Sequence, residues 1–257
     1  MATPQLDTQN VTDRIFSLPE GEGWGSFRVR SIQKEIDSIQ KEDAAIGFML
    51  TGILSAKLRD YRSVVSFFSK AERIAPTDDA MLWNYAAALN LLAQYDEAGK
   101  IFERLLDTGN VNAINIKAAL WANGSALNLE AFERIYNKYA QAVTDEVIMS
   151  IIEDLRASSS MVKGFMSQDS TLQADAQKMV QHLQSTLFDH KATLSSATPK
   201  IDNFYGQSVL HLYYGVNASV ETVITLNDDL LERVSDDEAI THWDSIIPSF
   251  VKVSDEE

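Results

Sequence analysis

Apolar residues between positions 26 and 157 recur every three or four positions, which is the spacing of one face of an α-helix. The first such segment begins after Ser26, a residue type that caps helices well, and ends near Lys41. Its predicted apolar stripe consists of Phe27, Ile32, Ile36 and Ile39. Residues 1–25 carry no such pattern and end in a glycine-rich stretch, so they are predicted to be flexible.

Two further helices are predicted in the middle of the chain. One covers residues 145–157, with Thr144 as its cap and the serines at 158–160 as its end. The other covers residues 170–194 and has a narrow apolar stripe on a polar helix. Such a stripe fits packing along the preceding helices or pairing with a second copy of the chain. The stripe consists of Leu172, Ala176, Met179, Leu183, Leu187 and Leu194.

The chemistry changes after a predicted linker at residues 195–203. Residues 209–216 and 220–226 are rich in β-branched and aromatic residues and predict a β-hairpin. Short helices are predicted to follow at 227–234 and 237–246, and then an edge strand that contains Pro248. The alternative makes residues 219–234 a single helix between two strands.

Residues 45–110 also repeat with a period of 34, which is typical of stacked helical pairs. The matching positions are Gly52 and Ala86, Tyr61 and Tyr95, Val64 and Ala98, Phe68 and Phe102, and Pro76 and Asn110. A weaker unit follows at 112–143. A unit before residue 45 is not predicted, because Arg30 and Lys34 would fall on core positions.

The two clear units resemble the tetratricopeptide repeat (TPR) family. That resemblance implies a small residue where paired helices cross and an aromatic residue between one pair and the next. The predicted fold is therefore mainly α, a TPR-type helical-pair solenoid with a long helix and a small C-terminal α+β appendage. The predicted domains are a flexible 1–25, a repeat domain at 26–157, a long helix and linker at 158–200, and an acidic α+β domain at 201–257.

Charge is distributed unevenly along the chain, whose formal net charge is −15. Residues 45–145 are almost neutral, whereas residues 146–257 hold 7 basic and 18 acidic side chains. Clusters of Lys and Arg that would bind a phosphate backbone are not seen, so nucleic acid and anionic membranes are not expected partners. The chain has no cysteine, and together with an N-terminus unlike a secretory signal this favours a cytoplasmic location.

The sequence offers little that resembles a catalytic site. His182, His190, His211 and His242 lack the spacing of a metal site and are predicted to be structural or solvated. The carboxylate clusters lack the pattern of a calcium loop and are predicted to be helix caps or a solvated face. No cofactor, metal or enzymatic activity is expected.

The TPR resemblance implies a concave groove, lined by the first helix of each pair, that holds a peptide. The predicted groove residues are Met49, Ile53, Lys57, Trp83, Ala87, Asn90 and Lys117. Such an apolar groove suits an apolar segment of a partner, and in this respect it is similar to the three-repeat chaperones of bacterial type III secretion. The predicted function is a protein-binding adaptor or chaperone. The alternative is an inhibitor that binds a basic partner through its acidic C-terminal region.

Overall fold

The computed structural model describes residues 8–19, 21–204 and 207–253, which form eleven α-helices and one three-stranded sheet. The protein is thus mainly helical with a small sheet, as the sequence predicts. In chain order the elements are α1 (Thr8–Phe16), α2 (Phe27–Glu42), α3 (Ala44–Lys57), α4 (Tyr61–Ile74), α5 (Asp79–Leu91), α6 (Tyr95–Asp107), α7 (Ala113–Ser125), α8 (Leu129–Tyr139), α9 (Glu146–Met166), α10 (Leu172–Asp189), β1 (Leu194–Phe204), β2 (Gln207–Val216), α11 (Val220–Asp236) and β3 (Ile246–Lys252).

The chain divides into two compact units. The first runs to Leu92 and includes Lys100–Asn110. The second holds Ala93–Gly99 and the chain from Val111 onward. Helix α6 contributes its first residues to the second unit and the rest to the first.

Short polar side chains begin most of these helices. Each accepts a hydrogen bond from a backbone N–H of the first turn, which satisfies a donor that the helix itself leaves unpaired. These N-caps are Ser26, Asp43, Asp60, Asp78, Asn112, Asn128, Asp145 and Ser219. Ser26 is the predicted cap of α2, whereas α9 uses Asp145 rather than Thr144.

The first unit is a succession of packed helices. Helix α3 packs against α1, α2, α4 and α5, and its residues from Leu50 to Ala56 are all buried. Gly52 allows the close crossing, because a Cβ there would lie 2.6 Å from the ring of Phe68. Phe68 in turn stacks on Tyr85 of α5, with ring centroids 4.7 Å apart. The small and aromatic positions of the repeat pattern therefore do pack together in this unit.

The 34-residue period extends to more helices than the repeated side chains of residues 45–110 indicate. Helices α2, α4, α6 and α8 begin at Phe27, Tyr61, Tyr95 and Leu129, each 34 residues after the one before. The sequence does not predict the helix pair α1–α2, because the repeat pattern would place Arg30 and Lys34 at core positions. In the structure both residues are exposed, and other positions of α2 form its core. Those buried residues are Val29, Ile32, Ile36 and Ile39, whereas Phe27 is 82% exposed.

The turns between paired helices share one backbone feature. Arg59, Ala93 and Leu127 follow α3, α5 and α7, and their φ angles are 60°, 59° and 53°. A left-handed residue after a helix is usually glycine, because a Cβ is unfavourable there. These three residues also lie 34 positions apart. The 34-residue period is therefore present in the backbone conformation, although the sequence has no glycine at these positions.

Helix α1 lies where the sequence predicted a flexible segment, and its Val11 and Ile15 are buried. The residues of that segment before Thr8, and Glu20, lie outside the described residues. The predicted end of α9 at the serines is wrong. The helix continues to Met166, because Ser159 is buried and Val162 and Phe165 extend its apolar face.

Helix α10 ends at Asp189, earlier than predicted, and its stripe from Leu172 to Leu187 is buried inside the second unit, which corresponds to the packing alternative rather than to pairing with a second copy. The stripe belongs to the core of the second unit, together with Leu210 of β2 and Phe250 of β3. Since its own chain covers these residues, they are not free to pair with a second copy.

The C-terminal sheet follows the alternative prediction. Strand β2 is central, antiparallel to β1 and parallel to β3, and α11 connects β2 with β3. The predicted linker is strand β1, and the predicted hairpin and the helix at 237–246 are wrong. Residues 220–226 are helical despite their β-branched side chains. Ser219 caps the helix, and Leu226, Leu230 and Val234, four residues apart, are buried by packing.

None of the helices in the described part of the chain is long and apolar enough to span a bilayer.

We expect Gly52→Ala to lower the free energy of unfolding of the first unit by about 1–3 kcal/mol, because the new methyl group overlaps the Phe68 ring. Urea denaturation measures the change. The control is Gly164→Ala in α9, where a Cβ meets nothing within 4 Å. That change should raise stability by up to about 1 kcal/mol through helix propensity. A neutral Gly52→Ala variant would contradict the close crossing.

Lys191→Gly, just after α10, should raise stability by about 1 kcal/mol. Lys191 has a φ of 56° and an exposed side chain, so glycine removes the cost of a Cβ at positive φ without losing a buried contact. Ala157→Gly, at an exposed position inside α9, should lower stability by about the same amount. Thermal unfolding of both variants measures the two opposite changes, and a loss of stability in Lys191→Gly would contradict the left-handed backbone there.

Candidate functional site

Five residues of α3 and α5 form the strongest candidate surface in the first unit. They are Met49, Trp83, Asn84, Ala87 and Asn90, and we call them the α3–α5 surface. Ala87 is exposed and the other four are half-buried. Asn84 joins the two helices, since its Nδ2 lies 3.5 Å from the Met49 sulfur and donates to the Ala80 carbonyl oxygen at 2.8 Å.

The α3–α5 surface is uncharged over a long stretch. Residues 44–56 of α3 and 80–91 of α5 contain no Asp, Glu, Lys or Arg. Lys57, a predicted groove residue, is the first charge after the α3 segment and is half-buried. A partner at this surface would therefore meet apolar and amide groups rather than charges.

The predicted groove residues lie in different environments. Ile53 is only 5% exposed, so it contributes to the core and offers no surface to a partner. Trp83 packs edge-on against Phe102 of α6, with centroids 5.2 Å apart, so part of its ring is already covered. Lys117 lies on α7 in the second unit and is half-buried. Within the first unit, all predicted groove residues except Ile53 keep accessible surface on α3 and α5: Met49, Lys57, Trp83, Ala87 and Asn90.

Asn90 has a feature that sequence reasoning missed. Its side-chain oxygen Oδ1 is buried and lacks a hydrogen-bond partner among the described residues. An unpaired buried acceptor is costly, and because this oxygen is out of contact with solvent, a partner on the surface does not reach it in this conformation. Asn84 was also missed, because its role depends on its distance from Met49, which the sequence does not contain.

The histidines of the second unit all lie near aspartates. His182 lies 2.8 Å from Asp237, His190 lies 3.1 Å from Asp229, and His242 lies 2.8 Å from Asp175. His211 is more distant from its aspartate, with 3.7 Å between Nε2 and the Asp202 carboxylate. The first three contacts join α10 to α11 or to the loop that precedes β3.

Asp175 is the most buried of these carboxylates, at 4% exposure. Its Oδ2 accepts from the Thr241 amide and hydroxyl and from the His242 amide and ring, at 2.8 to 3.0 Å. Burial raises the pKa of Asp175, but these hydrogen bonds outweigh burial and hold the pKa below its usual 3.8. The side chain therefore fixes the 241–242 loop onto α10.

The other two aspartates behave similarly. The hydrogen bond from His182 is the main cause that lowers the pKa of Asp237. Burial raises the pKa of Asp229, but the hydrogen bonds and positive charge of Arg233 and His190 lower it by more, so the pKa lies below its usual 3.8. Each of these carboxylates is therefore stabilised in its charged form by a neighbour on another part of the second unit.

The His242–Asp175 pair resembles the orienting half of a catalytic triad, but its surroundings differ. The second ring nitrogen of His242 faces the Asp169 carboxylate at 3.7 Å rather than a nucleophilic hydroxyl. No group of three or more His, Cys, Asp or Glu side chains in the described residues is arranged to hold a metal ion. The pairs are best explained as contacts that hold α10, α11 and the loop together.

A small cavity lies within the second unit, among α7, α9, β1 and β2. Its volume is about 40 Å³, which suits one or two water molecules rather than a cofactor. Ser125 lines it, and the buried hydroxyl of this residue has no partner among the described residues. Burial raises the pKa of the neighbouring Tyr214, so its phenol stays neutral.

Comparison of the chain with protein-family models, with curated proteins and with solved structures finds no match. The resemblance to tetratricopeptide repeats therefore rests on the residues and helix spacing given above.

We expect the second unit to lose stability as the pH falls below 3.8, because Asp175 has a lowered pKa when folded. The stabilisation by the charged Asp175 carboxylate is fully present above the pKa that this group has in the unfolded chain. It is lost as the pH falls through the lower pKa that the group has in the folded protein. Asp175→Asn should cost about 1.5–3 kcal/mol at pH 7 and flatten this acid dependence. Urea denaturation between pH 7 and pH 2.5 measures both effects. Asp154→Asn, at an exposed position on α9, is the control and should change neither.

Proposed function

We propose that this chain is a non-enzymatic protein-binding module that holds an apolar segment of a partner on the α3–α5 surface. The observation that carries the proposal is the charge-free stretch of both helices beside an accessible Ala87. Solvated helix faces are normally rich in charged residues, so a polar but uncharged face with Met and Trp is suited to contact with another chain.

The helix arrangement supports this function. Successive helices pack on their neighbours in the first unit, and α7, α8 and α9 do the same within the second. The recurring 34-residue spacing of helices and left-handed turns is what a helical-pair array of the tetratricopeptide type requires. Arrays of this kind present the first helix of each pair on one face, and here α3 and α5 are such helices. An adaptor or chaperone function follows from this reading.

Asn84 and Asn90 give the surface its polar contacts. Amide side chains can bond the backbone of an extended peptide, while Met49 and Trp83 contact its apolar side chains. The partner segment should therefore be apolar and uncharged.

An array of synthetic peptides of about ten residues tests the proposal. Bound peptides should be enriched in apolar residues, and Ala87→Glu should weaken their binding by about tenfold or more, since it places a charge in a desolvated contact. Ala174→Glu adds the same charge at an exposed position of α10 and should leave binding unchanged. Retained binding by Ala87→Glu, or selection of charged peptides, would count against the proposal.

A further inference from the structure

A second accessible apolar region lies in the C-terminal unit and is independent of the α3–α5 surface. A groove of about 360 Å³ runs between α11 and β3, and we call it the α11–β3 groove. Leu230, Val234, Ile240 and Ile246 form its buried floor. Its rim is strongly exposed, with Leu231 at 68%, Trp243 at 69% and Ile247 at 38%. Large exposed side chains grouped around a groove are typical of binding sites.

Further apolar residues extend this region along α11. Val220 and Ile224 are each 55% exposed and lie about two turns and one turn of helix, respectively, before Asn227, which lines the groove. The accessible apolar stripe therefore continues for several turns of helix. A short peptide would cover only part of it, whereas a helix of similar length would match it.

The outer edge of β3 cannot readily accept another strand. The β2–β3 register directs the backbone groups of Ile246, Pro248 and Phe250 away from β2. Pro248 has no N–H, and the Ile246 N–H donates to the His242 carbonyl oxygen. The Asn227 side chain bonds both backbone groups of Phe250, accepting from its N–H at 2.8 Å and donating to its carbonyl oxygen at 2.9 Å. An occupant must therefore bind through side chains, as a helix in a groove does.

Acidic side chains flank the groove. Asp228 and Glu232 lie beside Leu231 and Ser235 on α11, and Asp236, Glu238 and Asp244 follow along the chain. All five are exposed and none forms an ion pair among the described residues, although Asp244 Oδ1 accepts a hydrogen bond from the Ser245 hydroxyl at 3.1 Å. The nearby cations already have partners. Arg233 binds Asp189 and Asp229, Lys178 donates to the Ala239 carbonyl oxygen, and Lys252, at the far end of β3, lies close enough to Glu221 to stabilise its charge.

We propose that the α11–β3 groove binds a cationic amphipathic helix of a partner protein. The apolar face of that helix lies on Leu231, Trp243 and Ile247. Its Lys and Arg side chains face the carboxylates of Asp228, Glu232 and Asp236. This surface gives a structural basis for the alternative reading of the acidic C-terminal region, in which the chain binds a basic partner.

The test uses a synthetic helical peptide of about 18 residues, or five turns, built from Leu and Lys, and a matched peptide in which Glu replaces Lys. Binding to the full chain is measured by calorimetry and by tryptophan fluorescence. The Leu/Lys peptide should bind, with affinity that falls as salt rises, and the Leu/Glu peptide should not. Absence of Leu/Lys binding, or equal binding of both peptides, would overturn the proposal.

Two variants locate the contact, and two others serve as controls. Trp243→Ala and Leu231→Lys should each weaken Leu/Lys binding by about tenfold or more, since both remove an exposed apolar contact at the groove. Val147→Lys changes the net charge as Leu231→Lys does, at a 73% exposed position of α9, and should have little effect. Equal losses in Leu231→Lys and Val147→Lys would show general charge attraction and overturn the site. Ala87→Glu should leave this binding unchanged, so failure here is distinguishable from failure of the α3–α5 surface.

Discussion

The tight turn between paired helices is the constraint on which the helical part of this protein depends. In three of these turns a non-glycine residue adopts left-handed backbone, so the chain reverses within a few residues. The reversal places the next helix against the one before it, where a small residue such as Gly52 permits close contact. Because the strained residue recurs every 34 positions, helix lengths and packing positions recur as well. Accessible faces of α3 and α5 result from this regular geometry.

The second unit is held together by different forces. Its core joins α10 and α11 to the sheet, and hydrogen bonds to charged carboxylates fix the connecting segments. Buried carboxylates are stable only when they are well bonded, and Asp175 meets that condition with four donors to one oxygen. Asp175, Asp229 and Asp237 are therefore structural. The exposed acidic residues beside the α11–β3 groove form no ion pair among the described residues and are available to a partner.

Sequence reasoning reached the elements whose signal is local. The α10 stripe, the Ser26 cap and the Gly52–Phe68 crossing follow from spacing and residue size. It failed where contacts between distant residues determine the secondary structure. Val220–Leu226 has the β-branched composition of a strand but is helical because its buried residues are spaced by four. The sequence of strand β1 resembles a linker because it contains Pro199. The strand lies at the edge of the sheet, where a proline is tolerated. Candidate surfaces were less predictable, because the accessibility of Ile53 or Trp243 depends on neighbours distant in sequence.

The Asn227 side chain has a consequence for how the protein reaches its native state. Its two hydrogen bonds to Phe250 close the sheet edge only after α11 has docked. A folding intermediate in which the strands have paired but α11 is still detached exposes a β3 edge to other chains. Helix docking, rather than strand pairing, is then the step that ends vulnerability to aggregation. A higher protein concentration should therefore lower the refolding yield mainly through aggregation of chains in which α11 has not yet docked.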